Sequence, residues 1–147
     1  MATLEHAIAI AVKAHQGQTD KAGTAYILHP IRVMLRMHSH DERIVAVLHD
    51  VVEDSDVTLA QLQAEGFSEH IIAALDALTK RPGEDRIQAA HRAAGHPLAR
   101  AVKLADNSEN MDLTRLSNIT HKDIERQRQY QHVREILLTA EAKNQSG

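Results

Sequence analysis

The sequence predicts an all-α fold, a compact bundle of seven or eight helices forming a single domain over residues 1–147. Three observations predict it. Apolar residues recur at helical spacing along almost the whole chain, and no stretch sustains strand alternation beyond a few residues. Helix punctuation sits between the apolar runs, with Thr, Ser or Asp ahead of them and Gly or Pro at the breaks. The composition, 43% hydrophobic and 25% charged, is that of an ordinary globular domain, long enough to bury one core.

The elements follow in order. Residues 3–15 place Leu4, Ala7, Ile8, Ala11 and Val12 on one stripe, with Thr3 as N-cap. The stretch 17–25 holds two glycines and no apolar period, and reads as a loop. Pro30 suits the first turn of a helix over 30–38. Asp41 caps a third helix over 41–53, apolar around most of its circumference and therefore buried. A short helix opens at Thr58 and stops at Gly66, and Ser68 opens the next. Arg81-Pro82-Gly83 is a break, 84–94 an alanine-rich helix ended by Gly95, and Pro97 starts a helix to about 116. The last helix, 121–142, is charged, and serves as a solvated face or a homodimer contact. Nothing divides the chain into repeats or separate domains.

Composition excludes several classes of function. No apolar run reaches the roughly 18 residues that cross a bilayer. The N-terminal helix carries Glu5 and His6 and lacks a basic leader region, so it does not read as a signal peptide. There is no cysteine, which removes disulfides, thiolate metal sites and thiol nucleophiles, and a cytoplasmic setting fits. The net charge of −3 and the 2% aromatic content argue against a nucleic-acid partner. Against that background stand 11 histidines. His38, His40, His70, His91, His96, His121 and His132 lie at polar positions and read as surface residues.

The chemistry concentrates in AVLHDVVEDSD, 46–56. His49 and Asp50 interrupt an apolar helix, and a buried, unpartnered carboxylate costs several kcal/mol. Asp50, Glu53, Asp54 and Asp56 crowd acids at a helix C-terminus, against the macrodipole. A cation among them is the economical explanation. Two other segments repeat the anomaly: YILHP places His29 at the mouth of an apolar helix, and VKLADNSEN places Asp106 after Val102, Leu104 and Ala105. His29, His49, Asp50 and Asp106 together supply two imidazoles and two carboxylates, a set suited to Mn²⁺, Fe²⁺, Co²⁺ or Zn²⁺ with room left for water and substrate.

The pattern His…His-Asp…Asp in a helical chain resembles the HD phosphohydrolase superfamily. More narrowly it resembles the hydrolase domain of bifunctional alarmone synthetase/hydrolases and their stand-alone small relatives. The resemblance rests on A-x-x-A-H-x-G-Q at 11–18, D-K-A-G-T-A-Y-I-L-H-P at 20–30, L-H-D-V-V-E-D at 48–54, A-L-T-K at 77–80 and V-K-L-A-D-x-x-x-N at 102–110. It implies an HD-type helical bundle that uses one divalent ion, usually Mn²⁺, to remove the 3′-pyrophosphate of guanosine tetra- or pentaphosphate. It implies His29, His49, Asp50 and Asp106 as metal ligands, and Glu53 and Asp54 as the acids that orient or deprotonate the attacking water. It further implies Lys21 against the nucleotide and Asn110 near ribose and metal. His15 belongs to a matching segment and is a candidate for support behind the site.

Three positions depart from the family pattern. Asp20, Asn107 and Asp112 stand where relatives carry positive charge, and Arg115 replaces one such charge a helical turn later. These losses bear on the substrate and leave the metal set intact. Two other readings remain at this stage: an HD hydrolase for another nucleotide or phosphate ester, and a helical nucleotide-binding protein without turnover.

Overall fold

The computed structural model describes residues 2–114 and 116–146. Among them it forms nine helical segments: α1 (Leu4–Ala14), α2 (Leu28–Leu35), α3 (His40–Leu48), α4 (Val51–Asp54), α5 (Leu59–Ala64), α6 (Glu69–Leu78), α7 (Arg86–Ala94), α8 (Pro97–Asn110) and α9 (His121–Ser146). The all-α expectation holds; an isolated Thr19–Ala25 bridge tightens the α1–α2 loop. No helix among the described residues is long and apolar enough to cross a membrane.

Helix α3 is the hub. Ile44, Val45, Ala46, Val47 and Leu48 are all buried, and α1, α2, α6 and α8 pack around them. On α1 the inward positions are the fully buried Ala7 and Ala11, small enough to bring its backbone close to α3. Val33, Leu75, Ala99 and Val102 close the core from the other sides. A smaller cluster, Ala90, Ala94, Val133 and Leu137, joins α7 to α9.

The caps explain most boundaries. Thr3, Thr58 and Ser68 accept from the first-turn amides as expected. Gly66 follows α5 at φ 102, a left-handed conformation that favours glycine.

Several boundaries differ from the sequence reading, among them α2 ending at Leu35, α7 starting at Arg86 and α9 running to Ser146. α2 starts at Leu28, which brings His29 inside its first turn, where Pro30 is still tolerated. Ser39, not Asp41, caps α3, because Ser39 and Glu42 form a reciprocal capping box. The single helix expected over 41–53 is broken at His49–Asp50 into α3 and α4. α8 ends at Asn110 instead of near 116, because the Asp112 carboxylate accepts from the Thr114 amide and hydroxyl and turns the chain.

Candidate metal centre

The break after α3 builds the site. Adjacent residues on a continuous helix diverge by about 100°. Here Asp50 has φ −102 and ψ −2, so the helix axis is interrupted and both side chains converge: His49 Nε2 lies 3.0 Å from Asp50 Oδ2. From α2, His29 Nε2 approaches Asp106 Oδ1 of α8 at 2.8 Å, and His49 Nε2 approaches the same oxygen at 3.2 Å. One donor atom from each of His29, His49, Asp50 and Asp106 lies within 4.8 Å of the others. The four residues selected from the sequence are thus brought to one point.

The donor chemistry fits a divalent cation. The His49 ring places Nδ1 2.5 Å from the Ala46 carbonyl, so Nδ1–H donates and Nε2 is presented to the cluster, as metal-binding imidazoles require. His29, His49 and Asp106 are buried, while the Asp50 carboxylate keeps some exposure and marks the open side. The carboxylates are held from behind. Tyr26 donates its hydroxyl hydrogen to Asp50 Oδ2. Asn110 Nδ2 donates to Asp106 Oδ1 at 3.3 Å and Lys103 Nζ to Asp106 Oδ2 at 3.2 Å.

The titration behaviour reflects this crowding. Burial lowers the His49 pKa, but the charge of Asp50 and the hydrogen bond to Asp106 override it and raise it well above the ordinary imidazole value. Burial raises Asp50, and His49 outweighs it to bring the carboxyl down to about 2. For Asp106 burial is overcome first by Lys103 and then by the two histidines, which hold it well below the usual carboxylate range. Burial, then the Asp50 charge, push the Tyr26 phenol far up, so it remains a hydrogen-bond donor. The His49 proton thus occupies the position that suits a second positive charge.

The two further acids sit on α4 beside this cluster. Glu53 Oε1 accepts from the Lys80 amide, which fixes that carboxylate against the α6–α7 turn. Among the described residues the Asp54 carboxylate has no such tie; desolvation, then the charges of Asp50 and Glu53, push its pKa up. Both line a cleft of about 350 Å³ with Asp50, and Lys80, Arg86 and Lys103 line the same cleft. A second hollow of about 310 Å³ meets it at Tyr26, His29, Asn110 and Tyr130, and holds Lys21 and Arg126.

Lys21 is half exposed, and its Nζ lies 3.6 Å from Asp123 Oδ1, which also approaches Arg126 at 3.5 Å. Arg115 lies outside the described residues. The three departures have local roles. Asp20 accepts from the Ala22 and Thr24 amides and shapes the α1–α2 loop. Asn107 donates to the Tyr130 carbonyl and ties α8 to α9, and Asp112 ends α8. Arg81 pairs with Asp76, so the charged loop at 80–86 is partly self-neutralised. Sequence reasoning missed Tyr26 and Lys103 as supports. For Lys103 the signal was the spacing, three residues before Asp106 on the same side of α8; Tyr26 lies in the turn before α2 and carried no such signal.

No protein-family model matches the chain. It is 34% identical over 133 residues to the Homo sapiens guanosine-3′,5′-bis(diphosphate) 3′-pyrophosphohydrolase MESH1, covering 78% of this chain and 71% of that protein. The Danio rerio MESH1 protein is 33% identical over 129 residues, with the same coverage. A Vibrio cholerae guanosine-3′,5′-bis(diphosphate) 3′-pyrophosphohydrolase is 37% identical over 81 residues, 52% of this chain. The match spans only 11% of the length of that bacterial relative. The fold is similar to the solved structure of a metazoan ortholog of SpoT described as hydrolyzing ppGpp, with a TM-score of 0.79 at 22% identity, over 93% of this chain and 86% of that one.

Proposed function

Because the chain belongs to the family of guanosine-3′,5′-bis(diphosphate) 3′-pyrophosphohydrolases that includes the MESH1 proteins, we propose that it is a divalent-metal phosphohydrolase that removes pyrophosphate from the 3′ position of a guanosine nucleotide. Its substrate in this reading is ppGpp, its ion is Mn²⁺, and residues 1–147 act as one HD domain. The observation that carries the reading is the convergence of His29, His49, Asp50 and Asp106 within 4.8 Å, with two further acids beside them on the cleft wall.

His29, His49, Asp50 and Asp106 would hold the ion. When bound, it supplies Lewis-acid polarisation of the phosphoryl group and makes water more acidic. Asp54 is the general base: its raised pKa and untied carboxylate suit it to take a proton from the attacking water. Glu53, anchored to the Lys80 amide, orients that water. The water oxygen attacks the phosphorus next to the ribose, the bond to the ribose 3′ oxygen breaks, and that oxygen leaves with a proton. The products are guanosine 5′-diphosphate and inorganic pyrophosphate. Lys80, Arg86 and Lys103 face the same cleft and offset phosphate charge, and Lys21 and Asn110 bound the adjoining hollow.

A second reading, hydrolysis of a less anionic nucleotide or phosphate ester, draws support from Asp123, which shares out the charge of Lys21 and Arg126. One experiment separates the two. Purified protein is incubated with Mn²⁺ and a panel of nucleotides, and the products are resolved by chromatography. Pyrophosphate released from ppGpp supports the first reading; intact ppGpp beside hydrolysis of a simpler nucleotide establishes the second.

A further inference from the structure

Segment α4, which carries Glu53 and Asp54, has only four residues, too few to hold itself in water. Its shape depends on ties from outside. Ser55 returns its hydroxyl to the Val51 carbonyl at 2.6 Å. Glu53 is held by the Lys80 amide, and a further tie comes from the loop after α1. Gln18 Nε2 donates to the Asp54 carbonyl at 2.9 Å and lies 3.4 Å from the Ala14 carbonyl.

Two carbonyl oxygens around one end of the Gln18 amide identify that end as the nitrogen. The amide oxygen therefore faces His15, where Oε1 is 2.9 Å from Nδ1, and Nδ1 must carry the hydrogen. His15 is 2% exposed, and its Nε2 has no hydrogen-bond partner among the described residues. Its ring packs on Tyr26 at 5.0 Å between centroids, the same Tyr26 that donates to Asp50. A buried imidazole with one ring nitrogen unsatisfied is a costly choice for filling space. Among the described residues its one side-chain hydrogen bond is to Gln18.

We propose that His15 and Gln18 are positioning residues that hold α4, and with it the Asp54 carboxylate, in register with the metal cluster. His15 Nδ1–H fixes the Gln18 amide, and the Gln18 amide carries the Asp54 carbonyl. The proposal rests on the catalytic reading of Asp54 above. It makes the A-H-x-G-Q segment at 11–18 part of the catalytic apparatus without contact to substrate.

The test uses Gln18→Met, which keeps the shape and loses the side-chain hydrogen bonds to His15, Ala14 and Asp54, and the pair His15→Asn and His15→Gln. An asparagine amide reproduces the Nδ1–H donor, and a glutamine amide falls where Nε2 stands. Amide hydrogen exchange of residues 51–55 and steady-state kinetics with Mn²⁺ and ppGpp are measured alongside metal content. Gln18→Met and His15→Gln are expected to speed exchange in α4 and to lower kcat by about 10- to 100-fold, the usual cost of losing such a support, with KM within about twofold and metal content unchanged. His15→Asn is expected to restore most of kcat. Unchanged α4 exchange in Gln18→Met overturns the proposal, whatever the activity. Equal kcat in the two His15 variants overturns the role of Nδ1–H. If His15 variants do not fold, Gln18→Met decides alone, since Gln18 is only partly buried. Wild-type protein that leaves ppGpp intact refutes the functional reading and the catalytic half of this proposal, while α4 exchange still reports on the tie itself.

Discussion

Adding Mn²⁺ to metal-free protein should raise its melting temperature, and the rise should grow with pH. A ligand that binds only the folded chain at about 100 times its Kd stabilises by about 2.7 kcal/mol. At about 2–4 °C per kcal/mol for a chain of this size, that is a shift of roughly 5–11 °C. The pH dependence follows from His49. Its folded-state pKa lies well above the ordinary imidazole value because Asp50 and Asp106 outweigh burial. The stability it contributes to metal-free protein is fully present below its unfolded pKa of about 6.5 and is lost as the pH rises through the folded value. A cation bound to Nε2 must displace that proton, so metal binding strengthens over the same interval. Asp50 and Asp106, both lowered, lose their contribution only under acid conditions, as the pH falls through their folded values. From about pH 6 to about pH 8 the metal-free melting temperature should therefore fall while the gain on adding Mn²⁺ widens. Differential scanning fluorimetry at several pH values, with His49→Ala as control, provides the assay. No shift with any divalent transition metal, or an equal shift in wild type and His49→Ala, would refute the reasoning.

Asp54→Asn should keep its metal by elemental analysis and lose about 10²–10⁴-fold in kcat. Glu53→Gln, which keeps an oxygen for the Lys80 amide, should lose less; the reverse order in steady-state kinetics would exchange their roles. Lys21→Ala should raise KM more than it lowers kcat, since the residue lines the adjoining hollow and pairs there with Asp123. Leu75→Ala, at a core position 1% exposed beside α3, should cost about 2–5 kcal/mol in urea unfolding at unchanged metal stoichiometry.

What the sequence determined by itself were the features set by local chemistry. Helical periodicity decided the all-α class, because every helix must offer an apolar face to the core. The caps at Thr3, Thr58 and Ser68 were legible because a cap is satisfied within its own turn. The cluster residues were legible as well, since His49, Asp50 and Asp106 break apolar runs in a way that burial penalises. Tertiary structure alone decided the rest. The interruption at Asp50 aims two adjacent side chains at one point, and periodicity had extended the helix straight through it. The Lys80 amide separates Glu53 from Asp54, two neighbours of like charge that sequence left interchangeable. Gln18 reaches a carbonyl 36 residues away. Such contacts depend on where α1, α6 and α8 pack around α3, and packing between distant segments leaves no periodic trace in any one of them.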